Sequence, residues 1–149
     1  MRGARRMVAA IGLVLLGAGL VPPAMADDGS WGLQQGNPVP VCKPPGQRAW
    51  LQQLRCADGS ALSWRRIGSI GTRTPMLADF PIATLEKYMS GEPLADGEVD
   101  YHMVDGYQVD CGGKVQQLYL DMYHCELPAP QRAPAGFLFV AAEPGGSDS

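Results

Sequence analysis

A pair of adjacent glycines within residues 107–125, YQVDCGGKVQQLYLDMYHC, constrains the fold more than any other feature of the sequence. Glycine readily adopts the positive φ angles that a two-residue hairpin turn requires. Gly112 and Gly113 therefore predict two antiparallel strands in which Tyr107 faces Leu118.

The two faces of this predicted hairpin differ in chemistry, because successive side chains of a strand point to opposite sides. One face is apolar and is predicted to form the core; it carries Tyr107, Val109, Cys111, Leu118, Leu120 and Met122. On the other face we predict that Tyr119, Asp121 and Tyr123 bind a partner or ligand, since tyrosine offers a large contact area at little entropic cost. The alternative is that another segment covers this face and makes Asp121 a buried, hydrogen-bonded carboxylate.

An oxidising compartment allows the four cysteines to pair as two disulfides; they are Cys42, Cys56, Cys111 and Cys125. Cys111 lies at the turn end of the hairpin, more than about 30 Å from Cys125, which disfavours their pairing. Cys56 also stands just before a tight-turn signal, Asp58-Gly59. Cys56 and Cys111 thus both lie at turn ends, whereas Cys42 and Cys125 lie at the distal ends. This arrangement favours the pairs Cys56–Cys111 and Cys42–Cys125. The sequential pairing, Cys42–Cys56 with Cys111–Cys125, is the main alternative.

Residues 1–26 have the organisation of a secretory signal peptide. Arginines precede an apolar run over residues 8–21, and Ala24-Met25-Ala26 supplies the small residues of a cleavage site. The alternative, a membrane anchor, is disfavoured because the run is shorter than the roughly 20 residues that cross a bilayer. We expect a periplasmic or secreted protein of 123 residues, with no membrane span once the signal is removed.

The charge of the chain excludes one class of partner. The formal net charge is −3, and losing the three signal arginines makes it −6. An acidic chain is a poor candidate for nucleic acid, which demands basic patches. Residues 42–73 are basic and residues 74–126 are acidic. We expect these halves to face each other and pair at the surface; the alternative is a basic partner for the acidic half.

The remaining pattern predicts an α+β fold: a small antiparallel β-sheet with one short docked helix and two disulfides. Residues 27–45 are expected to form an extended arm, residues 46–127 the β-rich domain, and residues 128–149 a linker with a last edge strand and a disordered tail. Residues 48–56 are predicted as a strand before the Asp58-Gly59 turn, although Trp50, Leu51 and Leu54 also fit a helix. The predicted helix covers residues 81–90, with an apolar stripe of Ile82, Leu85 and Met89.

The distance between the two histidines, His102 and His124, depends on Asp105-Gly106. This dipeptide is a strong turn signal, so we predict a three-stranded meander that places His102 level with Gln116 and far from His124. A strand that runs straight through would bring both histidines together near Asp121. A zinc site needs that second arrangement and a third ligand, and the cysteines are expected to be oxidised, so no metal ligand is assigned.

Acidic residues at positions 96, 98 and 100 imitate the first ligands of an EF-hand loop. Tyr101 replaces the required glycine and Tyr107 replaces the required glutamate, so the motif fails. A solvated acidic loop is the preferred interpretation.

The function predicted from these features is an exported, non-catalytic binding or interaction protein of the cell envelope that recognises an unknown protein or small ligand. No catalytic motif is complete, and no cofactor is expected. The first alternative is a small secreted hydrolase that uses His102 or His124 with Asp121. The second alternative is a metal-binding protein.

Overall fold

The structure is a computed structural model, and it describes residues 29–140. The predicted signal peptide and the predicted tail beyond residue 140 lie outside the described residues. Within the described range the chain forms β1 (Val39–Pro40), α1 (Lys43–Gln53), β2 (Leu54–Cys56), β3 (Ser63–Thr72), α2 (Ile82–Ser90), β4 (Met103–Cys111), β5 (Lys114–Asp121) and β6 (Phe137–Phe139). The predicted α+β class and the two disulfides are confirmed.

The hairpin at residues 107–125 forms as the glycine pair predicts. Gly112 and Gly113 have φ angles of 62° and 92°, and Tyr107 pairs with Leu118. The four-stranded sheet has the order β1-β5-β4-β3. It is mixed, because β1 from the predicted arm runs parallel to β5, whereas the other pairs are antiparallel.

The prediction of a turn at Asp105-Gly106 is wrong. Strand β4 continues through both residues, and Asp105 pairs with Leu120. Gly106 serves close packing in the strand: a Cβ added there would lie 3.0 Å from Ile70 Cγ2 and 3.2 Å from Gln117 Nε2. Glycine at this position therefore leaves room for neighbouring side chains of the sheet, and it does not mark a reversal of the chain.

The strand prediction for residues 48–53 is also wrong, because α1 covers them. Prolines stand at the start of this helix, where a missing N–H costs no hydrogen bond. Gln47, Trp50 and Leu51 lie on its buried face, at the spacing of a helix. Gln47 donates to Asp105 Oδ2 and accepts from the Tyr107 hydroxyl, so the helix is tied to β4 by a buried amide.

The core lies between α1 and the apolar face of the hairpin, as that face predicts. Its fully buried members are Val39, Val41, Trp50, Leu51, Leu54, Val109, Leu118 and Leu120. The predicted last strand is present as β6, which pairs with β2 beside this core.

Helix α2 forms where the sequence predicts and ends at Gly91, which has a φ of 75°. Its predicted docking stripe is wrong, since Ile82 is 77% exposed and Met89 is 55% exposed. The buried residue of α2 is Tyr88, which packs against the rings of Phe80 and Tyr101. Aromatic packing on the β3–β4 connection therefore positions this helix.

Both disulfides follow the predicted pairing, Cys42–Cys125 and Cys56–Cys111. They join Cys42, just before α1, and Cys56, the last residue of β2, to the two ends of the hairpin. Neither α1 nor α2 combines the length and the apolar character that a membrane-crossing helix requires.

Candidate metal centre

Two pairs of acid and histidine meet where β4 begins and β5 ends. Asp100 and His102 precede β4, whereas Asp121 is the last residue of β5 and His124 follows three residues later. Antiparallel pairing places the start of one strand beside the end of the next. The straight course of β4 therefore brings together the histidines that the predicted meander would separate.

The four side chains face one another at short range. His102 Nδ1 lies 3.4 Å from His124 Nε2 and 3.0 Å from Asp100 Oδ1. His124 Nε2 lies 3.0 Å from Asp100 Oδ2 and 3.1 Å from Asp121 Oδ2. His102 Nδ1 and Asp121 Oδ2 are 3.6 Å apart. One potential ligand atom from each residue lies within 4.8 Å of all the others.

The β5 side of the cluster is fixed by the main chain. Val41 donates its N–H to the Asp121 carbonyl, and His124 donates its N–H to the Val41 carbonyl. Cys125, the next residue, is held to Cys42 by a disulfide. This half of the cluster is thus continuous with the rigid sheet.

The β4 side of the cluster is held in place by aromatic rings and by an arginine. The His102 ring stacks on Tyr123 with centroids 5.3 Å apart, and it meets the Tyr88 ring edge-on at 5.7 Å. Arg73 Nη1 lies 3.0 Å from Asp100 Oδ2, and the backbone N–H of His102 donates to Asp100 Oδ1. These contacts aim the Asp100 carboxylate at the histidines.

The cluster is almost completely shielded from solvent. The side chains of Asp121 and His102 are 0% and 1% exposed, that of His124 is 6%, and that of Asp100 is 16%. Access from solvent is therefore greatest on the Asp100 side. Bringing charged groups out of water into such a place is costly unless opposite charge compensates.

The electrostatics of the cluster favour positive charge at its centre. Burial opposes protonation of His102, but the neighbouring carboxylates of Asp100 and Asp121 outweigh it and raise the pKa of His102 to about 9. Hydrogen bonds to Asp100 and Asp121, opposed by burial, raise the pKa of His124 to about 10. For both aspartates, burial opposes ionisation, but the histidines hold each carboxyl pKa below its usual value.

Hydrogen bonds alone do not satisfy all the nitrogen and oxygen atoms that meet in this cluster. His124 Nε2 faces two carboxylate oxygens and the other imidazole, yet it carries at most one proton. Asp121 Oδ2 is buried and accepts no well-directed hydrogen bond among the described residues. Two protonated imidazoles would also bring like charges within 3.4 Å. A single cation at the centre would contact all four groups at once.

Most separations within the cluster are close to those around a tetrahedral ion. Bonds of about 2.0 Å to nitrogen or oxygen place the ligand atoms of a tetrahedral Zn²⁺ about 3.3 Å apart. Five separations within the cluster run from 3.0 to 3.6 Å, with Asp100 presenting one oxygen to each histidine, and one ligand atom from each of the four residues lies within 4.8 Å of the others. Two neutral imidazoles and two carboxylates also balance the charge of a divalent ion.

Outside the cluster, Glu126 Oε1 lies 2.8 Å from His124 Nδ1. A carboxylate that accepts the second N–H of a histidine is a common outer partner of metal ligands, because it fixes the ring and the tautomer. Here it would leave His124 Nε2 free to coordinate the ion.

The sequence analysis named His102, His124 and Asp121 only as the residues of its hydrolase alternative. Asp100 was not named with them because it was grouped with the acids that imitate an EF-hand. The available signal was the pair of short spacings, Asp100-x-His102 and Asp121-x-x-His124, at the facing ends of two strands.

The three residues of the predicted binding face, Tyr119, Asp121 and Tyr123, differ in burial. Asp121 is fully buried, as in the alternative interpretation of this face, whereas Tyr119 and Tyr123 are half-buried. Tyr123 contacts His102, so it belongs to the wall of the cluster. Binding of a partner by Tyr119 and its neighbours stays a prediction.

Comparison with protein-family models, with curated proteins and with solved structures finds no match for this chain. Function is therefore inferred from the chemistry of the site itself.

Proposed function

We propose that the chain is an exported, non-catalytic binding protein whose ligand is a divalent transition-metal ion, with Zn²⁺ the best fit. The observation that carries this proposal is the convergence of two imidazole nitrogens and two carboxylates within 4.8 Å in a buried place. Asp100, His102, Asp121 and His124 would be the ligands. The free energy of binding would come from neutralising charges that the fold already holds together.

The types of ligand select among metals. Ca²⁺ takes six to eight oxygen ligands and Mg²⁺ keeps several waters, so two carboxylates and two imidazoles suit neither ion. Imidazole suits zinc and its neighbours, while Cu²⁺ and Ni²⁺ favour square-planar or tetragonal sites. The cysteines of the described chain are paired as disulfides, which leaves a nitrogen and oxygen site.

The number of ligands supports binding rather than catalysis. A catalytic zinc site keeps one position for water or substrate, whereas a structural site is filled by four protein ligands. All four positions are supplied here by buried or nearly buried side chains. A closed site of this kind holds its ion and leaves no position for a reacting molecule.

Isothermal titration calorimetry of the full chain, stripped with EDTA, tests the proposal. We expect one Zn²⁺ to bind per chain, and we expect Asp100→Asn, Asp121→Asn and His124→Ala each to weaken binding at least about tenfold. Asp96→Asn is the matched control for Asp100→Asn, because both acids lie on the same connection and Asp96 is exposed. Near-ultraviolet circular dichroism verifies that each variant is folded. Failure of the wild-type chain to bind Zn²⁺, or equal affinity in the ligand variants, would contradict the proposal.

The hydrolase alternative ranks second. The proximity of His124 to Asp121 favours it, because this pair resembles an acid-base couple. Its burial opposes it, since a substrate has to reach the imidazole; a cavity of about 420 Å³ reaches Tyr123 but is not lined by either histidine. Ester hydrolysis by the metal-free wild-type chain that disappears in His124→Ala would favour this alternative.

A further inference from the structure

The connection between β3 and β4, residues 73–102, is a unit with its own internal contacts. The rings of Phe80, Tyr88 and Tyr101 pack together, with centroids 4.7 Å apart for Phe80 and Tyr101 and 5.5 Å apart for Tyr88 and Tyr101. The Tyr88 hydroxyl donates to Glu98, which also forms an ion pair with Lys87. Helix α2 is thus held to the end of its own connection.

The attachment of this β3–β4 connection to the hairpin is narrow. The hydrogen bonds and ion pairs that join it to residues 121–124 run through Asp100 and His102. The ring stack of His102 on Tyr123 adds to them. Meanwhile Ile82 and Met89 of α2 are mostly exposed, so the helix buries little apolar area.

The four ligands divide equally across this junction. Asp100 and His102 belong to the connection, whereas Asp121 and His124 belong to the hairpin, whose end is tied to Cys42 through Cys125. A metal ion would therefore form two bonds on each side. Among the described residues Asp121 Oδ2 accepts no hydrogen bond, although His124 Nε2 lies 3.1 Å from it.

We propose that occupancy of this centre fixes the β3–β4 connection to the sheet, and that loss of the ion releases the connection while the sheet stays folded. The inference rests on the proposed metal binding. The sheet is expected to persist because its core lies between α1 and the hairpin, and because both disulfides join segments outside the connection. Local opening of such a weakly attached unit is a normal property of folded proteins.

Hydrogen exchange of the full chain, followed by mass spectrometry, tests this inference. If opening of the connection breaks the site, bound Zn²⁺ opposes opening. The fraction of molecules with an open connection then falls in inverse proportion to the free Zn²⁺ concentration, once that concentration exceeds the Kd. At free Zn²⁺ about 100 times the Kd, we expect amides of residues 82–90 to exchange about 100-fold more slowly than in EDTA. Amides of the β4–β5 hairpin near Gly112 are expected to exchange equally in both conditions.

The matched control is His102→Ala, which keeps the connection but lacks one ligand. Zn²⁺ is expected to leave its exchange in residues 82–90 unchanged. Wild-type protein that binds Zn²⁺ by calorimetry but shows no protection of these residues would overturn the inference and leave the proposed function intact. Protection spread equally over the whole sheet would also overturn it, since the ion would then support the entire fold. Absence of Zn²⁺ binding by calorimetry would refute the proposed function itself.

Discussion

Glu126, a partly exposed residue, orients the ring of a buried histidine. Its side chain is 29% exposed, but its carboxylate accepts a hydrogen bond from the buried His124 ring. The bond fixes which nitrogen of His124 faces Asp100 and Asp121. Without it the ring is free to adopt the other tautomer, which would present a proton to the proposed metal ion.

We therefore expect Glu126→Gln to lower the Zn²⁺ affinity about tenfold while the fold stays intact. The control is Glu86→Gln, an exposed position on α2 that is expected to keep the wild-type affinity. Competition with a chromophoric chelator measures both affinities. Equal affinities for the two variants would contradict the assigned role of Glu126.

Asp105 is a second buried acid with a different role, because its partners are cationic or neutral donors. Arg66 Nη2 lies 2.7 Å from its Oδ1, Gln47 donates to its Oδ2, and Ser69 donates to its Oδ1. Burial opposes ionisation, but these hydrogen bonds hold the pKa of Asp105 below its usual value.

A depressed folded-state pKa contributes stability above the unfolded-state pKa of about 3.9, and this stability is lost as the pH falls through the folded-state value. We expect Asp105→Asn to lower the free energy of unfolding at pH 7 by about 1 to 3 kcal/mol. The loss relative to wild type is expected to shrink at pH 3. Urea unfolding in EDTA at the two pH values measures this, with Asp96→Asn as the exposed control. A pH-independent difference would show that ionisation of Asp105 does not contribute.

At the scale of elements, local patterns predicted the hairpin, its register, its apolar face and, through these, the disulfide pairing. Those features depend on strand alternation and on the φ angles of Gly112 and Gly113, which a sequence reveals directly. Two elements were mispredicted because tertiary packing decides them. Gly106 lies in a strand beneath Ile70, and the helical face of α1 is completed by Gln47, a polar residue buried against Asp105. The approach of His102 to His124 was missed for the first of these reasons.

Tyr123 belongs to the end of the hairpin and tests the packing of this element. We expect Tyr123→Ala to cost about 3 kcal/mol or more of stability and to weaken Zn²⁺ binding, because its ring supports His102. Tyr123→Phe retains the stacked ring and is expected to retain both properties. Tyr119→Ala, on β5, is expected to leave Zn²⁺ affinity unchanged. Thermal unfolding and calorimetry of the three variants check this, and a loss of affinity in Tyr119→Ala alone would contradict it.

At the scale of the whole molecule, the disulfides tie the two ends of the α1–β2 segment to the two ends of the hairpin. Residues 29–140 provide one modest core, so these crosslinks carry much of the stability. Each closes a long loop, 83 and 55 residues in sequence separation, and is expected to contribute about 3 to 5 kcal/mol in the chain-entropy model.

Reduction of both disulfides is therefore expected to unfold the metal-free chain or to lower its stability by several kcal/mol. The melting temperature in EDTA, measured with and without a reductant, checks this. Equal melting temperatures would mean that the core alone holds the fold.

The most direct test of the metal centre is a crystal structure of the full chain grown with one equivalent of Zn²⁺, with an anomalous difference map at the zinc absorption edge. We predict a single strong peak about 2.0 to 2.2 Å from Asp100, His102, Asp121 and His124, in tetrahedral geometry. A zinc peak elsewhere on the chain, or no peak among these four side chains, would contradict the assignment.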